Sequence, residues 1–341
     1  MSAATPVHDA PAAAEAADDA PSIVLGYLPY WQQAPAVRAA IAHADLLTAT
    51  APWWYAPTAD GAVVEQDPPF TDISEAVVEE LRAPGLALMP TIANHRNGEW
   101  DFEVVPRLIA DTQTRADHVR NLVRLVVDND YDGIVIDYEL LEAGDRDNFS
   151  AFVTDLGTAL HREDKRLAVT VHAKSTPEGS GGHNIAQDYE AIGRAADEVH
   201  LMTYDLHYDE SEPGPVAPQQ WVERVVAYAV DHVSEDKLVL GIGLFGYDWG
   251  GEGPADDLTL NQIDQLRKAT DGRVQRASQS PFFRYRRGGV GHELWFEDRD
   301  SVAAKLALVD RYDLGGAFFW HLGDVPADIW DAAAGQLGRD S

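Results

Sequence analysis

The chain has 341 residues, of which 45% are hydrophobic and 24% are charged, and it contains no cysteine. This composition excludes a wholly disordered chain, and the lack of cysteine excludes disulfides, thiolate metal sites and a thiol nucleophile. The 57 acidic residues outnumber the 26 basic ones and give a formal net charge of -31, which argues against nucleic acid or an anionic membrane as a partner.

The excess of acidic residues also bears on the source of the protein. A net charge of this size repels itself unless salt screens it. We therefore hypothesise a salt-adapted source, with an acidic protein from an ordinary alanine-rich and arginine-rich proteome as the alternative.

Residues 1–22 are rich in Ala, Pro, Asp and Glu, and we expect them to form a disordered acidic leader. They carry neither the basic cluster nor the apolar run of a secretion signal, so the sequence indicates no compartment. No stretch approaches the roughly 20 apolar residues of a membrane span, and no membrane insertion is expected.

Short apolar runs alternate with amphipathic stretches from Ile23 onward, which is typical of a parallel sheet wrapped by helices. The predicted strands are 23–30, 46–55, 86–93, 133–138, 167–172, 198–204, 238–244 and 316–320. The clearest predicted helices between them are 116–127, 147–160, 219–233 and 301–312. This order predicts an α/β fold, a (β/α)8 TIM barrel that spans residues 23–338.

One interval, about residues 246–300, is too long for a single loop and helix. It contains a predicted helix at 260–270 and strand-like pieces at 282–285 and 293–296. Because long structureless loops are uncommon in compact domains, we expect a small α+β insertion between strand 7 and its helix.

The fourth predicted strand ends in carboxylates, in the segment YDGIVIDYE from Tyr131 to Glu139. Alternate side chains of a strand share a face, so Val135, Asp137 and Glu139 are predicted to point together. Active sites of such barrels lie at the carboxyl ends of the strands, where these acids fall. The alternative is that they are solvated rim acids of an acidic protein.

DGIVIDYE resembles the DGxDxDxE signature of glycoside hydrolase family 18, with Glu139 at the proton-donor position and Asp137 at the neighbouring acid. Val135 departs from the signature, because chitinases of the family carry an acid there. Spore-germination-type members often have a non-acidic residue at that position, so the departure points to that branch.

Further resemblances follow in the same order along the chain. LMTYDLHY looks like the sixth-strand MxYD element, which implies that Met202, Tyr204 and Asp205 surround the bound sugar. FFWHLGD resembles the end of the eighth strand, where Trp320 would floor that sugar. Tyr27 in GYLPYW and Tyr55 in WWYAP are the other expected sugar contacts, and the remaining strand-end aromatic residues are interpreted as packing.

The resemblance implies cleavage of β-1,4 linkages next to N-acetylated amino sugars, in peptidoglycan, chitin oligomers or a related glycan. Family 18 departs from the usual pair of carboxylates because the substrate's own acetamido group attacks the anomeric carbon. Glu139 would then donate the proton, Asp137 would hold the acetamide N–H, and Tyr204 would bind the acetamide carbonyl.

Several alternatives stay open, one of which is a barrel hydrolase of unrelated substrate that rests on fold analogy alone. A non-catalytic, lectin-like barrel that only binds glycan is compatible with the missing acid at Val135, whereas the presence of Glu139 favours an enzyme. A metal site could be imitated by Asp205 together with four histidines near strand ends, which are His95, His172, His200 and His207. Because they lack zinc-motif spacing, we expect neither metal nor cofactor. We expect a monomer whose partner is the carbohydrate.

Overall fold

The structure of the protein is a computed structural model that describes residues 23–66, 71–96, 98–179, 181–251 and 253–338. The expected leader at 1–22 lies outside the described residues. Within them no helix is both long and apolar enough to cross a bilayer.

Eight parallel strands close into a barrel, because the first strand pairs with both the second and the eighth. In chain order the strands are Ile23–Pro29, Ala49–Pro57, Ala87–Leu88 with Thr91–Ala93, Gly133–Asp137, Arg166–His172, Glu198–Met202, Leu238–Gly243 and Gly316–Trp320. The predicted TIM barrel is confirmed. Nearly every residue of these strands is buried, as expected for a parallel sheet that is covered on both faces.

The third strand differs from the prediction, which treated residues 86–93 as continuous. It consists of two short pieces that are separated by Met89 and Pro90. Proline has no N–H to donate to the sheet, which explains the break at this position.

Helices surround the barrel and pack against the outer faces of its strands. Polar side chains cap the starts of some of these helices. The Asp111 carboxylate accepts the N–H groups of Gln113 and Thr114, and Asp298 forms a capping box with Ser301. The helices are Gln33–Ala42, Glu75–Arg82, Val104–Ala110, Thr112–Asp128, Arg146–His161, Gly182–Ala186, Tyr189–Ala195, Gln219–Val230, Arg299–Arg311 and Ala327–Gln336, with short 3-10 turns at Tyr30–Gln32, Ala143–Asp145 and Glu235–Lys237.

The expected insertion lies between the seventh strand and helix Arg299–Arg311, and it is confirmed as an α+β unit. It consists of helix Leu260–Ala269 and a five-stranded antiparallel sheet formed by Phe245–Gly250, Asp256–Thr259, Gln275–Ala277, Ser280–Arg287 and Val290–Phe296. Two smaller additions near the barrel rim are strand Val63–Glu65 and the hairpin His95–Arg96 with Glu99–Trp100.

The register of the central strands determines which side chains meet at the carboxyl end of the barrel. Ile136 of the fourth strand pairs with Ile92 of the third and with Val169 of the fifth. At the start of the fourth strand, a Cβ on Gly133 would lie 2.3 Å from the carbonyl oxygen of Arg166, so glycine is needed for this close approach. The polar residues that follow the buried parts of these strands therefore lie side by side.

Candidate active site

A cavity of about 750 Å³ opens at the carboxyl ends of the barrel strands. Its walls combine carboxylates with aromatic rings, which is a composition suited to a sugar. Seven of the eight predicted site residues line it, namely Tyr27, Asp137, Glu139, Met202, Tyr204, Asp205 and Trp320. The wall is completed in part by Trp31, Trp53, His95, Trp100, Thr170, His172, Tyr208, Trp221 and Tyr247.

Asp137 lines the cavity and is almost fully buried. Its carboxylate accepts hydrogen bonds from the indole N–H of Trp53, at 3.0 Å, and from the hydroxyl of Thr170, at 2.5 Å. Burial raises the pKa of Asp137 above its ordinary value of 3.8, whereas the hydrogen bonds from Thr170 and Trp53 and the nearby His200 counteract the rise. These two hydrogen bonds therefore stabilise the ionised form of the buried Asp137 carboxyl.

Glu139 follows two residues later and is fixed through its backbone. Its N–H donates to Asn94 Oδ1 at 2.8 Å, and its carbonyl oxygen accepts from Asn94 Nδ2 at 3.0 Å. The chain turns directly afterwards, since Leu140 adopts the left-handed conformation with φ of 61°. Burial raises the pKa of Glu139 well above its ordinary value of 4.5, and Asp137 and Asp205 raise it further. Glu139 therefore keeps a proton more readily than an exposed glutamate does.

The end of the sixth strand supplies Met202, Tyr204 and Asp205. The Tyr204 ring is held edge-on between Phe245, at 6.0 Å between centroids, and Phe318, at 6.2 Å. Asp205 accepts a hydrogen bond from the Tyr247 hydroxyl at 3.1 Å, although it is otherwise exposed to the groove. Desolvation by the cavity walls, together with the charges of Asp257 and Asp209, raises the pKa of Asp205 to about 7, although the hydrogen bond from Tyr247 opposes the rise.

Tyr27 connects the cavity to a chain of buried polar groups inside the barrel. Its hydroxyl lies 2.7 Å from His200 Nδ1, His200 Nε2 lies 2.9 Å from Glu198 Oε2, and Glu198 Oε1 accepts from Arg166 at 3.0 Å. The buried hydroxyl of Tyr27 is thereby satisfied. Its ring contacts Trp320 edge-on, with 5.6 Å between centroids.

Trp320 belongs to an aromatic cluster that forms one side of the cavity. Its ring lies edge-on to those of Trp31 and Trp53, with centroid distances of 6.2 and 5.9 Å. Trp53 is in turn edge-on to Trp100, and Trp31 is 45% exposed. Rings from the first 3-10 turn and the second strand thus contact Trp320, and Trp100 of the rim hairpin extends the aromatic surface outward.

The domain model of glycosyl hydrolases family 18 matches residues 23–324. The chain belongs to this family. The Bacillus subtilis protein YdhD, named a sporulation-specific glycosylase, is 33% identical over 258 residues, which are 72% of this chain and 60% of YdhD. The B. subtilis cortical fragment-lytic enzyme is 30% identical over 268 residues, which are 75% of this chain and 60% of that enzyme.

The matched segment thus spans about three fifths of the length of these two relatives. Among solved structures, a chitinase from Chromobacterium violaceum ATCC 12472 superposes with a TM-score of 0.85 at 31% identity, covering 94% of this chain and 100% of that chain. The expected family and the likeness to its spore-germination-type members are confirmed.

Val135, where the family 18 signature has a further acid, is fully buried. It pairs with Thr91 of the third strand and Ala168 of the fifth. Asp137 is therefore surrounded by Trp53 and Thr170 as hydrogen-bond donors, with an apolar residue in place of the acid two positions before it.

The structure does not bring Tyr55 into the cavity. Two residues of the second strand, Trp53 and Tyr55, pair with the consecutive residues Thr91 and Ile92 of the third, which marks a bulge between them. The bulge interrupts the alternation of faces, so Tyr55 does not follow Trp53 into the cavity. Its hydroxyl instead bonds to that of Tyr131 at 2.8 Å.

Sequence reasoning missed three residues that hold the two acids. The sequence interpretation assigns Trp53 to packing and singles out neither Asn94 nor Thr170. A usable signal existed for Thr170, because it occupies the position of the fifth strand that lies beside Asp137 in a parallel register. No comparable pattern marks Asn94, since its contact with Glu139 depends on the loop after the broken third strand.

Proposed function

We propose that this chain is a retaining glycosidase that cleaves β-1,4 linkages next to N-acetylated amino sugars, with Glu139 as the proton donor. The observation that carries the proposal is that the surroundings of two neighbouring buried acids, Asp137 and Glu139, favour different protonation states. Asp137 accepts two hydrogen bonds that stabilise its charge, whereas burial and the charges of Asp137 and Asp205 raise the pKa of Glu139. The proton of the pair therefore resides on Glu139, where an acid catalyst needs it.

The geometry supports substrate-assisted catalysis in the following sequence. Glu139 gives its proton to the glycosidic oxygen while the acetamido carbonyl oxygen attacks the anomeric carbon, and the bond to the leaving sugar breaks. Asp137 accepts the acetamide N–H and stabilises the positive charge of the cyclic intermediate, and Tyr204 donates to the carbonyl oxygen. Glu139, now ionised, takes a proton from water, which attacks the anomeric carbon and reopens the ring with retention.

The remaining cavity residues bind the sugar. Trp320 offers its ring as a floor for the pyranose, and Tyr27 fixes the edge of that ring. Met202 and Asp205 complete the wall on the side of the sixth strand. The likeness to a cortical fragment-lytic enzyme and to a chitinase supports peptidoglycan fragments or chitin oligomers as the substrate.

The proposal is tested by hydrolysis of chromogenic N-acetylglucosamine oligomers and of spore-cortex muropeptides. We expect the wild-type chain to release product and Glu139→Gln to lose at least about 10²-fold in kcat, which is the contribution typical of a general acid. Glu142→Gln is the matched control, because Glu142 is an exposed glutamate that does not line the cavity.

Two outcomes would overturn the proposal. Unchanged activity in Glu139→Gln would remove Glu139 from the chemistry, and oligomer binding without any product release would favour the non-catalytic glycan-binding barrel. A thiazoline that mimics the cyclic intermediate should inhibit competitively, and a lack of inhibition would contradict the substrate-assisted route.

A further inference from the structure

His172 lies beside Glu139 at the carboxyl end of the fifth strand. The register pairs Ile136 with Val169, and its continuation places Asp137 beside Thr170 and Glu139 beside His172. The first of these contacts is the hydrogen bond from Thr170 to Asp137. In the second, His172 Nε2 and Glu139 Oε2 are 3.7 Å apart, which is slightly too long for a hydrogen bond.

The backbone of His172 is held on both sides. Its N–H donates to Gln187 Oε1 at 2.7 Å, and its carbonyl oxygen accepts from the Tyr189 hydroxyl at 2.6 Å. The imidazole ring of His172, in contrast to its backbone, is not fully bonded. Its Nε2 is buried and has no hydrogen-bond partner among the residues that the structure describes. A buried polar atom without a partner is costly, and Glu139 is the polar group that it faces.

The groups around this pair determine the direction of the interaction. Glu139 also faces Asp137, Tyr204 and Asp205. Behind His172 lie Lys174 and His183. Burial lowers the pKa of His172 to about 4, with further lowering by the charges of His183 and Lys174. The imidazole is therefore neutral near pH 7, and Nε2 is available as an acceptor in the Nδ1–H tautomer.

We propose that His172 is a positioning residue for Glu139, and that its Nε2 accepts a hydrogen bond from the protonated carboxyl in the substrate-free enzyme. A small rotation of the Glu139 side chain, moving Oε2 by about 1 Å, closes the present gap to hydrogen-bond length. The bond keeps the proton on the oxygen and holds the carboxyl at the cavity wall until a glycosidic oxygen replaces the imidazole as acceptor. This inference rests on the proposed role of Glu139 as acid.

The proposed hydrogen bond predicts the direction in which the pKa of Glu139 changes when His172 is removed. A hydrogen bond to the neutral form of a carboxyl favours that form, so removal of the acceptor must lower the pKa of Glu139. A cationic His172 would act in the opposite direction, because its charge would stabilise the carboxylate. A residue that only packs the loop would lower activity without moving the pKa.

The test compares His172→Ala with His172→Gln, whose side-chain carbonyl can place an acceptor near the position of Nε2. We expect the basic limb of the kcat/KM–pH profile to move down by about half to one pH unit in the alanine variant, and to be largely restored in the glutamine variant. His232→Ala is the matched control, because His232 bonds only locally to the Tyr228 carbonyl.

A second readout does not depend on turnover. Carboxyl-labelled glutamate NMR titrates Glu139 directly, with its signal assigned by its loss in Glu139→Gln, and the same downward shift is expected in folded His172→Ala. An unchanged or raised Glu139 pKa would overturn the inference, as would a change confined to KM, which would make His172 a sugar ligand. If the wild-type chain is inactive, the proposed function fails, while the titration still decides the contact.

Discussion

Trp53 donates its indole N–H to Asp137 Oδ2 across 3.0 Å in a buried site. The bond favours the ionised form of Asp137, so its removal raises the pKa of this carboxyl. We predict that Trp53→Phe lowers kcat/KM about 10- to 100-fold, as expected for a hydrogen bond to a charged group, and moves the acidic limb of the pH profile to higher pH.

The control for this prediction is the neighbouring residue. Trp54 is fully buried, and its indole nitrogen has no hydrogen-bond partner among the described residues. Trp54→Phe therefore removes a similar volume without removing a bond to Asp137. If both variants leave the acidic limb in place, the bond from Trp53 does not control Asp137.

Asn94 holds the backbone of Glu139 at both its N–H and its carbonyl group. Asn94→Ala breaks both bonds and frees the segment that carries the acid. Since a displacement of about 1 Å can cost about 10²-fold in rate, we predict a loss of this order in kcat with a smaller change in KM. Asn121→Ala, which removes a bond to the Gly61 carbonyl far from the cavity, should retain its kcat.

The hydroxyl of Tyr204 is predicted to act on the substrate, whereas that of Tyr55 is predicted to act only on stability. Tyr204→Phe keeps the ring between Phe245 and Phe318 and should lower kcat at least about tenfold with little change in Tm. Tyr55→Phe removes the bond to Tyr131 and should cost about 1 kcal/mol in the free energy of unfolding with unchanged kcat/KM. A loss of activity in Tyr55→Phe would contradict this prediction and show that Tyr55 contributes to the active site.

The barrel could be predicted from the sequence because each strand can be recognised from a short local pattern of residues. The apolar runs, the helical spacing between them and the long interval before residue 300 correspond to the observed strands, helices and insertion. The acids were also visible, since Asp137 and Glu139 end an apolar strand. These features depend on residues that are neighbours in the chain, and the folded structure retains them.

The supporting contacts could not be predicted in the same way, because they join residues far apart in sequence. Trp53 is 84 positions from Asp137, and Asn94 is 45 positions from Glu139. Tyr55 shows the converse, since a one-residue bulge redirected a side chain that a regular strand would have pointed inward. Register and bulges are set by the packed barrel, and the sequence alone does not reveal them.

The net charge of -31 predicts that salt stabilises the fold. Raising NaCl from about 0.05 M to about 0.5 M shortens the distance over which like charges repel, so Tm should rise at pH 7. The control is the same titration near the isoelectric point of about 4.5, where the net repulsion is absent and the rise should disappear. A Tm that is independent of NaCl at pH 7 would contradict salt adaptation.

Glu139→Gln tests whether the raised pKa of the acid is maintained at the expense of stability. A carboxyl whose pKa is higher in the folded state binds more protons there than in the unfolded chain, so the free energy of unfolding falls as pH rises above the unfolded value of about 4.5. Glutamine has nearly the same shape and cannot ionise. We therefore predict that the Tm of Glu139→Gln equals that of the wild type near pH 4 and exceeds it by a growing margin toward pH 8. Equal Tm values at pH 8 would show that Glu139 ionises without cost and is poorly suited to hold the catalytic proton.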